Sequence, residues 1–196
     1  MVVASTHRSV GVIGADGLMP GLVVLDAKVW ADDRGFFREW FRLADLPEPF
    51  VAAQANLSYS RRDVVRGLHY SLAPEGQAKV VTCVAGEIDD VIVDVRVGSP
   101  TFGAIEVVHL AGDLGRSVLL PAGVAHGFCV TSESAALAYL LSSPFNPGAE
   151  LEIDPFDPAI GVPWTITGEP IVSTKDAAAP SLAQRLDAGQ LPRFSR

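Results

Sequence analysis

The chain has 196 residues, 48% of them hydrophobic, enough for one substantial core and about one domain. Fifteen Lys and Arg against 23 Asp and Glu leave a net charge of −8, which disfavours a non-specific nucleic-acid or anionic-membrane binder, since both need a positive field to reach their targets. Eighteen glycines and 14 prolines make the chain rich in turns but not low in complexity. The first ten residues are too polar for a secretory leader, and no apolar run approaches the ~18 residues of a membrane helix, so the expectation is one domain over residues 1–196 in the cytoplasm.

In chain order, residues 1–30 carry the turn signals GADG and MPG and then a strand-like LVVLDAKVW. DDRG at 32–35 is a turn, and FFREWFRLADL is expected to form a strand from Phe37 to Phe41 and then a helical turn. The middle of the chain reads as sheet: VVRGLHYS, AKVVTCVAG, IDDVIVDVRVG, GAIEVVHLA, RSVLLPAG, VAHGFCVTSE and ALAYLLSS are short, β-branched and bounded by turn residues. That spacing indicates a sandwich or a barrel rather than β-α units. In IDDVIVDVRV, Asp90, Ile92, Asp94 and Arg96 alternate with valines, which predicts valines packed inward and a wetter opposite face. After Ser142 the prolines and glycines predict loops. DAAAPSLAQRLDAG offers a short helix capped by Asp176 or Ser181, with Leu182 and Leu186 on one face.

Cys83 and Cys129 form no disulfide framework or zinc spacing and read as buried, inert thiols. Between Arg34 and Lys79 seven basic residues face five acidic ones, a local excess of +2 that leaves −10 elsewhere. Such a patch is either surface noise or a pocket for a small phosphorylated ligand. Of the four histidines, His7 lies in a polar terminus and His109 in an apolar alternation, whereas His69 and His126 are each next to or near glycine, which permits close approach of a ligand. No HxH, HxxH or HxxxH occurs, which disfavours a metal site and favours acid–base chemistry by histidine. Tyr139 is the one polar-tipped residue of AALAYLLSS; it is either a core tyrosine bonded to backbone or a proton donor. Dinucleotide, P-loop, nucleophile-elbow and HExxH motifs are absent.

Eight stretches in order resemble the dTDP-4-dehydrorhamnose 3,5-epimerases and their relatives in antibiotic deoxysugar pathways: DRGFFREW (33–40), QANLS (54–58), VVRGLHYS (64–71), QAKVVTCVAG (77–86), LPAGVAHGFCV (120–130), the Tyr139 strand, DPFDPAIGVPW (154–164) and STKDAAAP (173–180). The resemblance implies an all-β, cupin-type jelly-roll barrel with short peripheral helices, a homodimer that exchanges N-terminal strands, and no metal or nicotinamide cofactor. The implied substrate is a dTDP-4-keto-6-deoxyhexose whose C3 and C5 protons are acidified by the C4 ketone. By the same resemblance His69 is the general base and Asp176 the carboxylate that orients it. Tyr139 returns a proton from the opposite face, and Lys79 lies near the developing enolate oxygen. Arg34 and Arg66 are implied to contact the diphosphate, and Phe37, Glu39, Gln54, Asn56 and His126 to line the sugar and nucleotide site.

Two departures bear on the chemistry. Arg66 and His69 have opposite parity on a regular strand, so a bulge, a rim position or a partner's ligand is needed for both to serve one site. Where the family carries lysine after the tyrosine and a second tyrosine further on, YLLSSPFNP has Leu140 and Phe145, which leaves inversion at C3, C5 or both open and favours a single or C3-preferring epimerase. The alternatives are a silent sugar-nucleotide-binding cupin, a 3,4-ketoisomerase of the same fold and a metal-dependent oxygenase.

Overall fold

The computed structural model describes residues 19–46, 50–73 and 76–195; His7 and the GADG turn lie outside them. Twelve strands and two short helices are present among the described residues: β1 (Val23–Asp26), β2 (Val29–Asp32), β3 (Gly35–Arg38), β4 (Gln54–Arg61), β5 (Val65–Ser71), β6 (Lys79–Ala85), β7 (Glu87–Val93), β8 (Ile105–Ala111), β9 (Arg116–Leu120), β10 (Ala125–Val130), β11 (Ser134–Leu141), β12 (Glu150–Glu152), α1 (Thr174–Ala177) and α2 (Leu182–Asp187). One sheet runs β1-β9-β6-β11-β4 and a second β12-β5-β10-β7-β8, with β2 and β3 forming a separate hairpin. Every strand pairing is antiparallel.

The all-β expectation holds, but the jelly-roll barrel is corrected. The strands form two open sheets, one ending at β1 and β4 and the other at β12 and β8; among the described residues no strand is hydrogen-bonded into both. The chain crosses between the sheets through tight turns instead of carrying one ladder around a closed wall. Asp63, at φ 61°, turns β4 into β5, and Gly86, at φ 72°, turns β6 into β7. A Cβ on Gly86 would lie 1.9 Å from the Ser134 carbonyl oxygen, so only glycine fits that crossing.

Between the sheets lies a core of Val81, Cys83, Ile88, Ile92, Leu110, Val118, Leu120, Phe128 and Leu137. The outer side of the second sheet is covered as well, with Leu68, Tyr70, Val91, Val93 and Ile153 packed against Trp164, Leu182 and Leu191. Phe41, Leu46 and Phe50 cover part of the first sheet's outer side over Val80 and Leu119. Strands buried on both faces read as continuous apolar runs, which is why β6, β7 and β10 stand out in the sequence. For the same reason the wetter face expected over 88–97 is absent: Asp90 on β7 and Asp94 just beyond it have no exposure, and Arg96 only 5%.

The strand expected from Phe37 to Phe41 is replaced by β3, which ends at Arg38, followed by a 3-10 turn at Leu43–Asp45. Ser181 caps α2 through a capping box with Gln184, and Asp176 lies inside α1, whose cap is Ser173. Leu182 packs inward, but Leu186 is exposed and Arg185 is the buried residue of α2. Both cysteines are free and buried, and burial pushes the Cys83 thiol up to about 11. No helix among the described residues is long and apolar enough to cross a membrane.

Candidate active site

A cavity of about 270 Å³ opens between the two sheets, lined by Asn56, Arg66, His69, Lys79, Tyr139 and Asp176 among others. A second lobe of about 170 Å³ adds Ser58, His126 and Phe128, and the lobes share Arg66, His69, Lys79 and Tyr139 as a common wall. The second sheet and α1 supply His69, His126 and Asp176; the first sheet supplies Asn56, Lys79 and Tyr139.

Local sequence explains how these side chains converge. His69 lies opposite His126 in the β5–β10 ladder, but Arg66 lies opposite Phe128, so two residues of β5, Gly67 and Leu68, face one of β10, Gly127. The extra residue is a β-bulge that resets the side-chain alternation. Arg66 and His69 therefore line the same cavity despite their opposite parity. Gly67 sits in the bulge at φ +118°, where a Cβ would meet the Gly127 Cα and the His126 carbonyl oxygen at 2.6 Å each. In the first sheet Tyr139 lies opposite Asn56 and Lys79 opposite Leu141, which brings β4, β6 and β11 to one wall.

His69 Nε2 is 2.7 Å from Asp176 Oδ1, with the imidazole 40% and the carboxylate 4% exposed. Burial raises the Asp176 carboxyl, but the His69 hydrogen bond and charge, the Ser173 hydroxyl and the Gly67 amide outweigh it and hold the group below the ordinary carboxylate value. An ionised carboxylate only accepts, so Nε2 carries the hydrogen and Nδ1 keeps its lone pair, the tautomer of a base. Burial pushes the Lys79 ammonium down, opposed by the negative charges of Glu150 and Asp90. Arg66 Nε donates to the Ser60 hydroxyl at 3.0 Å, which holds its guanidinium on the wall.

Gln54 stands behind the lining. Its Nε2 donates to Asn56 Oδ1 at 2.9 Å and its Oε1 accepts from the Phe145 amide at 2.8 Å, so it braces two residues that border the cavity. Phe145 borders the cavity yet is 57% exposed, while Leu140 packs on the far side of the sheet near Val80 and Phe50. Arg34, Phe37 and Glu39 are not brought to this cavity. Arg34 is paired with Asp32, Glu39 with Arg42, and Phe37 is 67% exposed beside Trp30. Of the basic stretch, only Arg66 and Lys79 reach the cavity lining.

Sequence reasoning missed a second histidine–carboxylate pair, His126 Nε2 to Asp90 Oδ1 at 2.6 Å, with Asp90 fully buried and its Oδ2 without a hydrogen-bond partner among the described residues. A charge within a strand that is apolar on both faces was the available signal. Glu150 and Lys175 also line the cavity. His109 lies on the outside, 3.1 Å from Asp89.

The dTDP-4-dehydrorhamnose 3,5-epimerase family model matches residues 17–184. The dTDP-4-dehydrorhamnose 3-epimerase of Streptomyces niveus is 46% identical over 169 residues, 84% of this chain and 81% of that protein. The crystal structure of NovW, a 4-keto-6-deoxy sugar epimerase from the novobiocin cluster of Streptomyces spheroides, superposes with a TM-score of 0.86 at 40% identity, covering 99% of this chain and 97% of that one. ChmJ, a 3'-monoepimerase of Streptomyces bikiniensis solved with dTDP-quinovose, superposes with a TM-score of 0.84 at 39% identity over 88% of this chain and 89% of that one. The match to the family model over most of the chain and the identity to these relatives agree: the chain belongs to the dTDP-4-dehydrorhamnose 3,5-epimerase family.

Proposed function

We propose that this chain, an epimerase of dTDP-4-keto-6-deoxyhexoses, inverts C3 by abstraction at His69 and reprotonation from Tyr139. The observation that carries the reading is the placement of His69 and Tyr139 on opposite sheets of one cavity, with the His69–Asp176 contact at 2.7 Å. His69 Nδ1 takes the C3 proton, and the electron pair of that C–H bond moves into a C3–C4 double bond as O4 gains charge. Lys79 stabilises that charge more in the enolate than in the ketone, so it lowers the barrier rather than merely binding substrate. Tyr139 then gives its hydroxyl proton to C3 from the other side. A lone base would return its proton to the same face and leave the centre unchanged.

Arg66 and His126 line the diphosphate and sugar end, with Asn56 and Gln54 on the facing sheet. The assignment to C3 is supported by Phe145 at the cavity mouth and by the likeness to two proteins that are 3-epimerases by description, those of S. niveus and S. bikiniensis. The chemistry assigned to these side chains calls for no metal, and activity should survive exhaustive chelation.

The same reading makes the working unit a homodimer of single-domain subunits. Arg34, Phe37 and Glu39 stand on or beside the β2–β3 hairpin, away from their own cavity, and serve the partner's. The outer face of β4 supports this, since Leu57 is 71% and Tyr59 66% exposed, an apolar stripe that a second copy would cover. Incubation with dTDP-4-keto-6-deoxyglucose in D₂O tests the reading: deuterium at C3 with inversion there alone is expected. Label and inversion at both C3 and C5 would overturn the C3 assignment, and no label at carbon would overturn the epimerase chemistry.

A further inference from the structure

Glu152 lies outside the cavity lining, yet it touches three of the elements around the base, β5, α1 and α2. It sits on β12 directly opposite His69 in the β5–β12 ladder. Its carboxylate lies 2.8 Å from Lys175 Nζ on α1, the residue next to Asp176, and 3.5 Å from Arg185 Nη2 on α2. Arg185, buried, also donates its Nε to the Glu152 carbonyl at 2.9 Å and its Nη1 to Gln190 at 2.7 Å. The Glu152 side chain is only 16% exposed, whereas the Lys175 side chain is 59% exposed, so solvent screens the pair from the lysine side.

A helix as short as α1 makes few bonds of its own and cannot hold an orientation by itself. Its flanks are fixed by backbone: Val65 donates to Ile171 before it, and Asp154 donates to Pro180 after it. Between those anchors the side-chain contacts of α1 with the strands are Asp176 with His69 Nε2 and the Gly67 amide, and Lys175 with Glu152. We propose that Glu152 is a positioning residue: by holding Lys175 it sets the rotation of α1 and keeps the Asp176 carboxylate against His69 Nε2.

This proposal rests on the reading of His69 as the base. Misplacement of a catalytic group by about 1 Å can cost up to ~10²-fold, so a partly loosened tie should lower proton exchange by about 10-fold. The experiment compares wild type, Glu152→Gln, Lys175→Met and His69→Ala. It measures deuterium exchange at saturating dTDP-4-keto-6-deoxyglucose, KM separately, and the downfield imidazole Nε2–H resonance of the free enzyme by ¹⁵N-histidine NMR. The two tie variants change the local charge in opposite senses, so a purely electrostatic effect would move their exchange rates apart. Loss of a shared tie lowers both rates and weakens the resonance in both.

That paired loss is the expected result. Lys175 is 59% exposed at its side chain, so Lys175→Met should fold even if Glu152→Gln is too unstable to use, and it then carries the test by the resonance alone. An unchanged resonance in Lys175→Met, or rates that move in opposite directions, overturns the positioning role. Exchange that persists in folded His69→Ala overturns the base assignment and the proposal with it, whereas a dead His69→Ala beside an unperturbed Glu152→Gln overturns the positioning role alone.

Discussion

Replacing Asp176 with Asn isolates what the carboxylate's charge contributes. The side chain is isosteric, and its amide oxygen can still accept from His69 Nε2–H, so the 2.7 Å contact need not be lost. What disappears is a negative charge, 4% exposed, beside the imidazolium that the proposed abstraction at His69 forms. Two unit charges about 4 Å apart attract by about 4 kcal/mol at an effective dielectric near 20. The imidazole is 40% exposed, and solvent screening should remove part of that energy, leaving about 3 kcal/mol. At about 1.4 kcal/mol per decade the expected loss is roughly 10²-fold in exchange at saturating substrate, with KM within a few-fold because the carboxylate makes no contact that binding requires. The assay is deuterium wash-in at C3 followed by NMR, on protein shown by circular dichroism to be folded. A loss smaller than about five-fold would mean that Asp176 does not stabilise the imidazolium, and the dyad would lose its role.

Three further outcomes follow from the geometry. Tyr139→Phe removes one hydroxyl and little volume, so the protein should fold and still wash deuterium into the sugar with retained configuration, while epimer yield collapses; near wild-type epimer yield would assign the donor elsewhere. Gly67→Ala forces a Cβ to within 2.6 Å of the β10 backbone from a φ of +118°, and should cost at least about 2 kcal/mol in urea unfolding together with most of the exchange activity, whereas an unchanged midpoint would deny the bulge its tight packing. Asp94 is raised by burial but brought down to about 2 by bonds from Arg96, Ser99 and Thr101. A depressed carboxyl contributes stability above its unfolded value and loses it as pH falls through the folded value, so Asp94→Asn should cost about 2 kcal/mol at pH 7 and the difference from wild type should close between about pH 4 and pH 2; a difference independent of pH would contradict this.

How much of this was legible in the sequence depends on which way each strand turns its apolar face. β6, β7 and β10 were readable because both of their faces meet protein, so each is a dense apolar run bounded by turn residues, whereas β8 shows alternation, with Val107 and His109 turned out. β4 was not read as a strand. Its alternation is inverted, with Gln54, Asn56 and Ser58 turned towards the interior and Ala55, Leu57 and Tyr59 turned out. A pattern of polar residues inward makes sense only once those positions are known to border a cavity rather than a core. β12 has three residues, too few for any period to show. Asp90 was assigned to a wetter face because alternation alone cannot tell water from a buried imidazole. The His69–Asp176 pairing spans 107 positions, so only the resemblance could bring the two together before the fold did. Composition left sandwich and barrel open; the resemblance chose the barrel, and the unclosed ladders decide for two sheets.

That correction matters for the chemistry. Inversion needs two groups on opposite sides of one carbon, and a single sheet face presents all of its side chains from the same side. Two facing sheets supply the opposition directly: β5 with α1 presents His69 and Asp176, while β6 and β11 present Lys79 and Tyr139 across the gap. The sheets share a core that includes Ile88, Leu110 and Val118, and Asn56 of β4 and Glu150 of β12, both edge strands, border the cavity. A ladder closed around that side would have sealed the cavity with backbone bonds. The inward polar residues of β4 fit that arrangement: the strand gives up apolar burial on its inner face to line a cavity, while Leu57 and Tyr59 stay exposed on the other.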